Sequence, residues 1–268
     1  MKKMLAAAGA ALILTLSPAA AASAPSLTIN GVPAGSAAMA TVWNDTTYVS
    51  LRAVSSTLDS GAQITWENGT AYVRTDSMLL SACPGDTYLT VNGKCLSVPY
   101  GIKVSQERVL VPIRTLAQAF GAAVYWNPLT GEVALTSSTA EGGGESYSAD
   151  DLYWLSRIIS AESQGEPLEG KIAVGNVVLN RVASPDFPDS IYGVIFDNRW
   201  GGQFTPVRNG TIYQDPTEES VLAARLCLEG ANVVGDSLYF LAPALAQNFW
   251  TVQNRKYVAT IGCHEFYL

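Results

Sequence analysis

The sequence is poor in the residues that most metal and nucleophile sites require. Its 268 residues include one histidine, His264, and four cysteines without a C-x-x-C pair, so we expect no metal site. The motif G-x-S-x-G is absent, which argues against a hydrolase built on a serine nucleophile elbow. We therefore expect no cofactor.

Positive charge is also scarce. Lys and Arg number 16 against 23 Asp and Glu, which gives a formal net charge of −7. A chain without a basic excess has little to attract nucleic acid or anionic lipid, so we expect neither as a partner. A polymer partner would be recognised by hydrogen bonds and stacking. Beyond the N-terminus, no apolar run approaches the roughly 20 residues of a membrane helix.

The first residues have the layout of a secretory signal peptide. Two lysines precede an apolar run, and small residues follow up to Ala24. A cut after Ala22 satisfies the A-x-A cleavage pattern, and we assign residues 1–24 to the signal. The mature protein should then be exported and should have no transmembrane segment.

Four cysteines in an exported protein suggest two disulfides. Cys83 and Cys95 flank a strand and an Asn-Gly turn, which makes a local bond between them plausible. Cys227 and Cys263 both fall in the C-terminal half, where they could join a helix to the final strand. The sequence does not fix the connectivity, but the pairs Cys83–Cys95 and Cys227–Cys263 keep each bond within one domain.

The N-terminal half contains an internal repeat. L-T-I-N-G at residues 27–31 matches L-T-V-N-G at 89–93, and V-S-L-R at 49–52 matches V-P-I-R at 111–114. A helix-like run and then G-A-x-[IV]-x-W follow in each copy. Repetition of this kind indicates a duplicated supersecondary unit. Each copy combines strands, turns and one short helix, so we expect a strand-rich α+β domain.

The motifs V-[SP]-[LI]-R and G-A-x-[IV]-x-W, present in both copies, resemble the copper amine oxidase N-terminal-like domain of bacterial envelope proteins. The resemblance extends over nearly all of residues 25–136. That domain is not the copper-binding part of the oxidases, so the resemblance implies neither copper nor oxidase activity. We expect Arg52 and Arg114 to fix the helix starts or pair locally. Trp66 and Trp126 should lie in the core rather than act as stacking platforms.

The C-terminal domain, residues 148–268, follows a Ser-, Thr- and Gly-rich stretch at 137–147 that is typical of a flexible linker. Ser148 and Asp151 have the spacing of a capping box at the start of a first helix. A Gly-Glu-Pro corner ending at Pro167 separates that helix from a second one.

A carboxylate falls on the apolar face of the first helix. Leu155 and Ile159 recur at helical spacing, and the next position in that series is Glu162. A carboxylate on a core face is costly unless it is paired, protonated or lining a cleft. A salt bridge or a frayed helix end is the ordinary explanation, and a catalytic acid is the alternative.

The motif A-E-x-x-G-E-P-x-E-G-K contains Glu162 and is followed in order by Q-F-T, L-Y-F-x-x-P and T-I-G-x-H-x-F-Y. This series, over about residues 151–268, resembles the SleB/CwlJ cell wall hydrolases, which act on spore cortex peptidoglycan and related walls. The resemblance implies a mostly α, lysozyme-like and lytic-transglycosylase-like domain with a small β part. It also implies that Glu162 is the catalytic glutamate.

Further site residues follow from the same resemblance. Gln203, Phe204 and Thr205 of the Q-F-T motif would line the saccharide cleft opposite the glutamate, and Tyr239 would be a cleft tyrosine. Apart from the resemblance, Trp200 is a candidate for stacking on a sugar ring because it lies in a Gly-rich loop. We therefore expect these five residues to bind substrate.

Cleavage of a glycosidic bond needs an acid that still holds its proton near neutral pH. An apolar helix face raises a carboxyl pKa by desolvation, which suits Glu162 to that task. A two-carboxylate mechanism needs a second acid, but we expect Glu166, the nearest in sequence, to cap or pair at the second helix. This favours a lytic transglycosylase, in which Glu162 acts as acid and then as base. His264 as a general base is the weaker assignment.

The sequence therefore predicts an exported enzyme of the cell envelope or spore that cleaves the MurNAc-GlcNAc bond of peptidoglycan and leaves 1,6-anhydromuramic ends. An N-acetylmuramoyl-L-alanine amidase and a muramidase are the enzymatic alternatives. A non-catalytic wall-binding or spore-assembly protein is the alternative from another class. The N-terminal domain is expected to be a targeting or stalk module, with a cell-envelope or spore protein as a candidate partner.

Overall fold

The protein has a strand-rich N-terminal domain followed by a mainly helical C-terminal domain. The computed structural model describes residues 25–137, 147–199, 202–246 and 249–268. The predicted signal peptide, most of the predicted linker, and Trp200 lie outside the described residues. No helix in these described ranges is both long and apolar enough to cross a membrane.

The N-terminal domain consists of short strands separated by tight turns. Many of these turns are Asn-Gly pairs whose asparagine has a positive φ, as at Asn92 with φ +49°. The helices of this domain are α1 (Leu51–Leu58) and α2 (Ile113–Ala119), with a 3₁₀ turn at Ser36–Ala38. The strands are β1 (Leu27–Ile29), β2 (Val32–Pro33), β3 (Thr41–Trp43), β4 (Thr46–Ser50), β5 (Gln63–Glu67), β6 (Thr70–Arg74), β7 (Leu79–Ala82), β8 (Tyr88–Val91), β9 (Lys94–Ser97), β10 (Lys103–Ser105), β11 (Arg108–Pro112), β12 (Ala123–Trp126) and β13 (Val133–Thr136).

These strands form sheets with the orders β12-β13-β1-β2, β10-β11-β4-β3 and β5-β6-β7-β8-β9. In the second sheet β4 and β11 are antiparallel, with Val49 opposite Val111. The V-S-L-R and V-P-I-R segments therefore lie side by side, and each leads directly into a helix. Both helices pack on one core with the buried faces of the sheets. Descent of the two copies from one unit stays a prediction.

Two predictions about the repeat are wrong. Trp66 and Trp126 are 54% and 52% exposed, because they lie near the ends of the edge strands β5 and β12, beyond the packed core. Arg52 and Arg114 are exposed, and among the described residues neither of them caps a helix start or forms an ion pair with a neighbour. At α1 that role belongs to Ser50, whose hydroxyl accepts a backbone N–H of the first turn at 3.4 Å.

The two predicted disulfides are also wrong, because all four cysteines are free. Cys83 lies in the turn after β7, whereas Cys95 in β9 is buried against the core of the C-terminal domain. The thiol of Cys227 lies 3.3 Å from the carbonyl oxygen of Ile172, inside the helical core, and its burial raises its pKa. Cys263 is exposed at a hairpin turn.

The C-terminal domain packs helices against a small antiparallel sheet with the order β14-β16-β15. Its strands are β14 (Tyr239–Leu241), β15 (Tyr257–Ile261) and β16 (His264–Tyr267). Its helices are α3 (Ala149–Ser163), α4 (Leu168–Ala183), α5 (Ile191–Ile195), α6 (Thr205–Asn209), α7 (Glu218–Leu228) and α8 (Trp250–Asn254), with a 3₁₀ turn at Thr211–Tyr213. The two domains meet where β9 packs against α7.

The start of α3 is capped as the sequence predicts. The Ser148 hydroxyl accepts the Asp151 backbone N–H at 3.0 Å, and the Asp151 carboxylate accepts the Ser148 backbone N–H at 3.1 Å. From there α3 packs on α4 and α7, with Leu155, Ile158 and Ile159 fully buried. The helix is thus held at both its start and its middle, which fixes where its last turn points.

Side chains of α4 hold the chain that enters β14. The Asn180 amide donates to the carbonyl oxygens of Gly235 and Ser237 at 2.7 and 2.9 Å. One turn earlier, the Asn176 amide donates to the carbonyl oxygen of Ala231 at 2.6 Å. These contacts fix the small sheet beside α4, across from the end of α3.

Candidate active site

The last turn of α3 opens onto a cleft of about 620 Å³ between the helices and the small sheet. Glu162 is the residue before the last of α3, and its side chain is half-buried in this cleft. The lining residues come from the last turns of α3, from α4, from α6 with the chain on either side of it, from β14 with the loop after it, and from β16. They are Arg157, Ser160, Ala161, Glu162, Gln164, Arg181, Gln203, Phe204, Thr205, Pro206, Asn209, Thr211, Gln214, Asp215, Phe240, Leu241, Ala242, Leu245, Ala246 and His264.

Burial changes the acidity of Glu162. It raises the pKa of the carboxyl from 4.5 to about 7, while the nearby Arg181 guanidinium opposes the rise. Among the described residues, no group donates a hydrogen bond to this carboxyl. A carboxyl in this setting is about half protonated at neutral pH, so it can give up a proton and can also accept one.

Arg181 on α4 is the cation that faces Glu162, and it is only 6% exposed. Its Nε donates to the carbonyl oxygen of Leu238 at 2.8 Å, and its Nη1 lies 3.5 Å from Oε1 of Gln203. Desolvation lowers the pKa of this guanidinium to about 10, so it stays charged at neutral pH. The aromatic rings of Phe187, Phe204 and Tyr239 lie 5.0 to 5.7 Å from its Cζ.

The sequence reasoning missed Arg181. The sequence contains a feature that could have identified it, because this arginine ends the V-x-L-N-R run of a helix that is otherwise largely apolar. A buried arginine needs partners, and only the fold shows that they come from three separate loops and strands. Arg181 therefore links α4 to the Q-F-T segment and to β14.

The structure brings the Q-F-T residues to the cleft. Gln203 contacts Arg181, Phe204 is 3% exposed beneath the cleft wall, and the Thr205 hydroxyl accepts from Arg208 at 3.1 Å. All three line the same cleft as Glu162. Their roles in substrate binding stay predictions.

Tyr239 is not among the residues that line the cleft. Its hydroxyl accepts from Arg255 at 2.9 Å, and its ring lies 5.7 Å from the Arg181 guanidinium. The next residue of β14, Phe240, forms the cleft wall instead and packs edge-on against His264 at 5.3 Å between ring centroids. Tyr239 therefore contacts a residue of the cleft, Arg181, without lining the cleft itself. Trp200 lies outside the described residues.

Glu166 turns away from the cleft. The Oε2 of its side chain accepts the backbone N–H of Cys263 at 2.8 Å, in the turn between β15 and β16, so the side chain does not cap or pair at the second helix as predicted. Its backbone carbonyl oxygen also accepts from Lys171, which is 2% exposed and paired with Glu219 at 2.7 Å. Glu166 thus ties the Gly-Glu-Pro corner to the small sheet.

The same contact places His264 at the cleft. His264 follows the turn directly, is 7% exposed, and has its Nδ1 3.9 Å from Oε1 of Glu166. Burial lowers the pKa of this imidazole, and the Glu166 carboxylate opposes that change. Gly262 makes the arrangement possible, because a Cβ at that position would lie 1.8 Å from the Glu166 carboxylate.

A second carboxylate, Asp215, also lines the cleft, and the sequence reasoning did not single it out. Its side chain is 96% exposed and forms an ion pair with Arg157 at 2.9 Å. The Arg157 guanidinium in turn lies 3.8 Å from the centre of the Tyr153 ring. Asp215 is solvated and paired, whereas Glu162 is desolvated, so the two carboxyls have different chemistry. Within the described residues, no group of three or more His, Cys, Asp or Glu could hold a metal ion.

Both domains match known families. Residues 165–267 match the Cell Wall Hydrolase family, starting just after Glu162, and residues 28–135 match the Copper amine oxidase N-terminal domain. The chain is 30% identical over 188 residues to the spore cortex-lytic enzyme of Bacillus cereus, covering 62% of this chain and 71% of that protein. It is 37% identical over 120 residues to the spore cortex-lytic enzyme of Halalkalibacterium halodurans, covering 45% and 35%.

A solved structure is also similar to part of this chain. The catalytic domain of the germination-specific lytic transglycosylase SleB from Bacillus anthracis is 35% identical, with a TM-score of 0.43, and the match covers 47% of this chain and all of that domain. The likeness to the Bacillus cereus enzyme, together with the two family matches, shows that the chain belongs to the family of SleB-type cell wall hydrolases, with a copper amine oxidase N-terminal domain ahead of its hydrolase domain.

Proposed function

We propose that this protein is a lytic transglycosylase that cleaves the MurNAc-GlcNAc bond of peptidoglycan, with Glu162 as its acid and base. The observation that carries the proposal is the Glu162 carboxyl, whose burial in an open cleft raises its pKa to about 7. A glycan strand is long, and an open cleft with a carboxyl that can give up a proton near neutral pH suits cleavage of a bond within it.

The reaction needs one proton to move twice. Glu162 first donates its proton to the glycosidic oxygen as the bond to the anomeric carbon breaks. The C6 hydroxyl of the same muramic acid residue then attacks that carbon and gives its proton to the Glu162 carboxylate. The product is a 1,6-anhydromuramic end, no water is consumed, and the enzyme returns to its starting protonation state.

Arg181 supports the second half of this cycle. Glu162 is negatively charged only after it has donated, and the Arg181 guanidinium is the charge that opposes the rise in its pKa. Without it, the carboxylate intermediate would be less stable in the desolvated cleft. Arg181 also positions Gln203, which we assign to substrate binding with Phe204 and Thr205. Trp200, close by in sequence, stays a candidate for stacking on the strand.

A muramidase is the second candidate, and Asp215 is the observation that favours it. A muramidase uses a second carboxylate on the other side of the scissile bond, either as nucleophile or to activate water. Asp215 lines the cleft, but its ion pair with Arg157 already occupies one of its oxygens. The transglycosylase needs no such group, which is why we prefer it.

The natural substrate that fits best is the wall of a spore or of the cell envelope. The relatives in Bacillus cereus and Halalkalibacterium halodurans are spore cortex-lytic enzymes, and an exported form of this chain would reach the same polymer. In this scheme residues 1–24 direct export, 25–136 form the targeting domain, 137–147 the linker and 148–268 the hydrolase. A cell-envelope or spore protein remains a candidate partner of the targeting domain.

The test is product analysis. Purified spore cortex and vegetative sacculi are digested separately with the whole protein, and the released fragments are identified by mass spectrometry. Anhydro ends support the transglycosylase, ordinary reducing ends support a muramidase, and freed stem peptides support an amidase. The Glu162→Gln variant serves as the catalytic control, with Glu169→Gln, an exposed glutamate of α4, as the matched change. If the Glu162→Gln variant still lyses the wall, Glu162 is not the catalytic acid.

A further inference from the structure

The N-terminal domain has a cleft of its own, of about 780 Å³, which the proposed reaction does not use. It opens between the β3–β4 hairpin of the first repeat and the β12–β13 hairpin of the second, beside the start of α2. Its floor is apolar, with Ile113 and Val133 each 3% exposed and Val124 half-buried against the core. A concave apolar floor of this kind is typical of ligand sites.

One rim of this cleft carries an aromatic ring and a cation. Trp126 is 52% exposed at the end of β12, and Arg114 is exposed in the first turn of α2. Arg114 forms no hydrogen bond or ion pair with another described residue. Tryptophan and arginine are among the side chains that most often dominate binding energy. Both are exposed at this rim, where a ligand could contact them.

The other rim supplies hydrogen-bonding groups. Asp45, Thr46 and Thr47 of the β3–β4 hairpin line the cleft from the first repeat. The Thr46 hydroxyl donates only to the carbonyl oxygen of Asn44, at 3.3 Å, so its lone pairs remain free to accept. The site thus combines an aromatic face, hydroxyls, one carboxylate and one guanidinium.

This set of groups fits an amino-sugar strand that carries acidic groups. The apolar face of a sugar ring can stack on Trp126, and its hydroxyl and acetamido groups can bond with the threonines and Asp45. Carboxylates on the strand can pair with the planar guanidinium of Arg114. A protein with a formal net charge of −7 gains little from bulk attraction to an acidic wall, so retention there needs contacts of this kind.

We propose that this cleft binds a segment of peptidoglycan glycan strand and holds the enzyme on the wall while the C-terminal domain cuts. The choice of polymer rests on the proposed function, because the wall that is cleaved is also the surface available for anchoring. The two sites are on different domains, so binding at one and cleavage at the other can be measured separately.

The internal repeat provides matched controls. Arg52 and Trp66 occupy the positions in the first copy that Arg114 and Trp126 occupy in the second. They are exposed to a similar degree, with Trp66 at 54%, but neither lines this cleft. A loss of binding caused by removing any exposed tryptophan or arginine would therefore affect both pairs equally.

The experiment measures co-sedimentation of the whole protein with purified sacculi, in the Glu162→Gln form so that the wall stays intact. Trp126→Ala and Arg114→Glu are each expected to raise the half-saturating concentration about tenfold. Trp66→Ala and Arg52→Glu should stay within about twofold. Thermal unfolding of each variant shows that the fold is kept, and Arg114→Glu remains informative if Trp126→Ala unfolds.

The result that overturns the proposal is equal binding by the cleft variants and their controls, or an equal loss in all of them. With Glu162 intact, Trp126→Ala should also slow the release of fragments from sacculi, while turnover of short soluble glycan fragments stays within about twofold. Failure of the proposed function has a different signature, because the unaltered protein would then release no anhydro-ended fragments from sacculi, or the Glu162→Gln protein would still lyse them, whatever the binding data show.

Discussion

Replacing Glu162 with glutamine is expected to abolish activity and, above pH 7, to make the folded protein more stable. The ionised carboxylate is held in a partly desolvated cleft, which is why its pKa rises from 4.5 to about 7. A tenfold change in proton affinity corresponds to about 1.4 kcal/mol, so ionised Glu162 costs the fold up to about 3 kcal/mol. Glutamine has nearly the same shape and carries no charge, so it removes that cost.

The sign of the effect follows from proton linkage. Below pH 4.5 Glu162 is protonated in both the folded and the unfolded chain, so the substitution changes stability little. Between pH 4.5 and about 7 the unfolded chain loses its proton first, so the stability of the unaltered protein falls as pH rises. The advantage of Glu162→Gln should therefore grow through this window and level off above it.

The assay is urea unfolding of the whole protein at pH 4, 6 and 8, monitored by the helical circular dichroism signal, which comes mainly from the C-terminal domain. The rate of wall lysis is measured alongside. Glu169→Gln, an exposed change on α4, should show no such pH-dependent gain. If Glu162→Gln is no more stable than the unaltered protein at pH 8, ionised Glu162 is not destabilised and the reasoning from burial fails. If it still lyses purified wall, the catalytic assignment fails.

The remaining predictions concern the groups around the cleft. Gly262→Ala should destabilise the domain by about 2 kcal/mol or more and impair lysis, because its Cβ would lie 1.8 Å from a carboxylate that braces the hairpin. Gly235→Ala, at a similar positive φ but in open space, should lower the free energy of unfolding by only about 1 kcal/mol. Equal melting temperatures of the two glycine variants would contradict this. Arg181→Met should move the alkaline limb of the pH–rate profile to higher pH, because Arg181 opposes the rise in the Glu162 pKa. An unchanged alkaline limb would show that Arg181 does not affect this pKa. Asp215→Asn should keep kcat within about threefold for a transglycosylase, whereas a loss of about 10³-fold would indicate a muramidase.

The N-terminal domain shows which local features can be read from a sequence. Its Asn-Gly turns, alternating strands and paired V-x-x-R segments are short-range patterns, and they lead to a strand-rich domain as predicted. The exposure of Trp66 and Trp126 could not be read in the same way. It depends on both lying in edge strands, and edge position is a property of the assembled sheets.

The cysteines show the same limit. An even number of cysteines in a chain predicted to be exported is a property of composition, and on that basis the sequence predicted two disulfides. In the fold all four cysteines are free, and Cys227 lies inside the helical core whereas Cys263 lies on an exposed hairpin. Distance in space decides whether two thiols can bond, and spacing in sequence does not report it.

For the active site, the sequence alone placed Glu162 on an apolar helix face, because helical spacing is fixed by local geometry. The capping box at Ser148 and the Gly-Glu-Pro corner were determined in the same local way. Only the tertiary structure decided that Arg181 faces the glutamate and that Glu166 holds the hairpin of His264 rather than entering the cleft. Those relations join residues that are far apart in the chain, and packing of the helices against the small sheet is what brings them together.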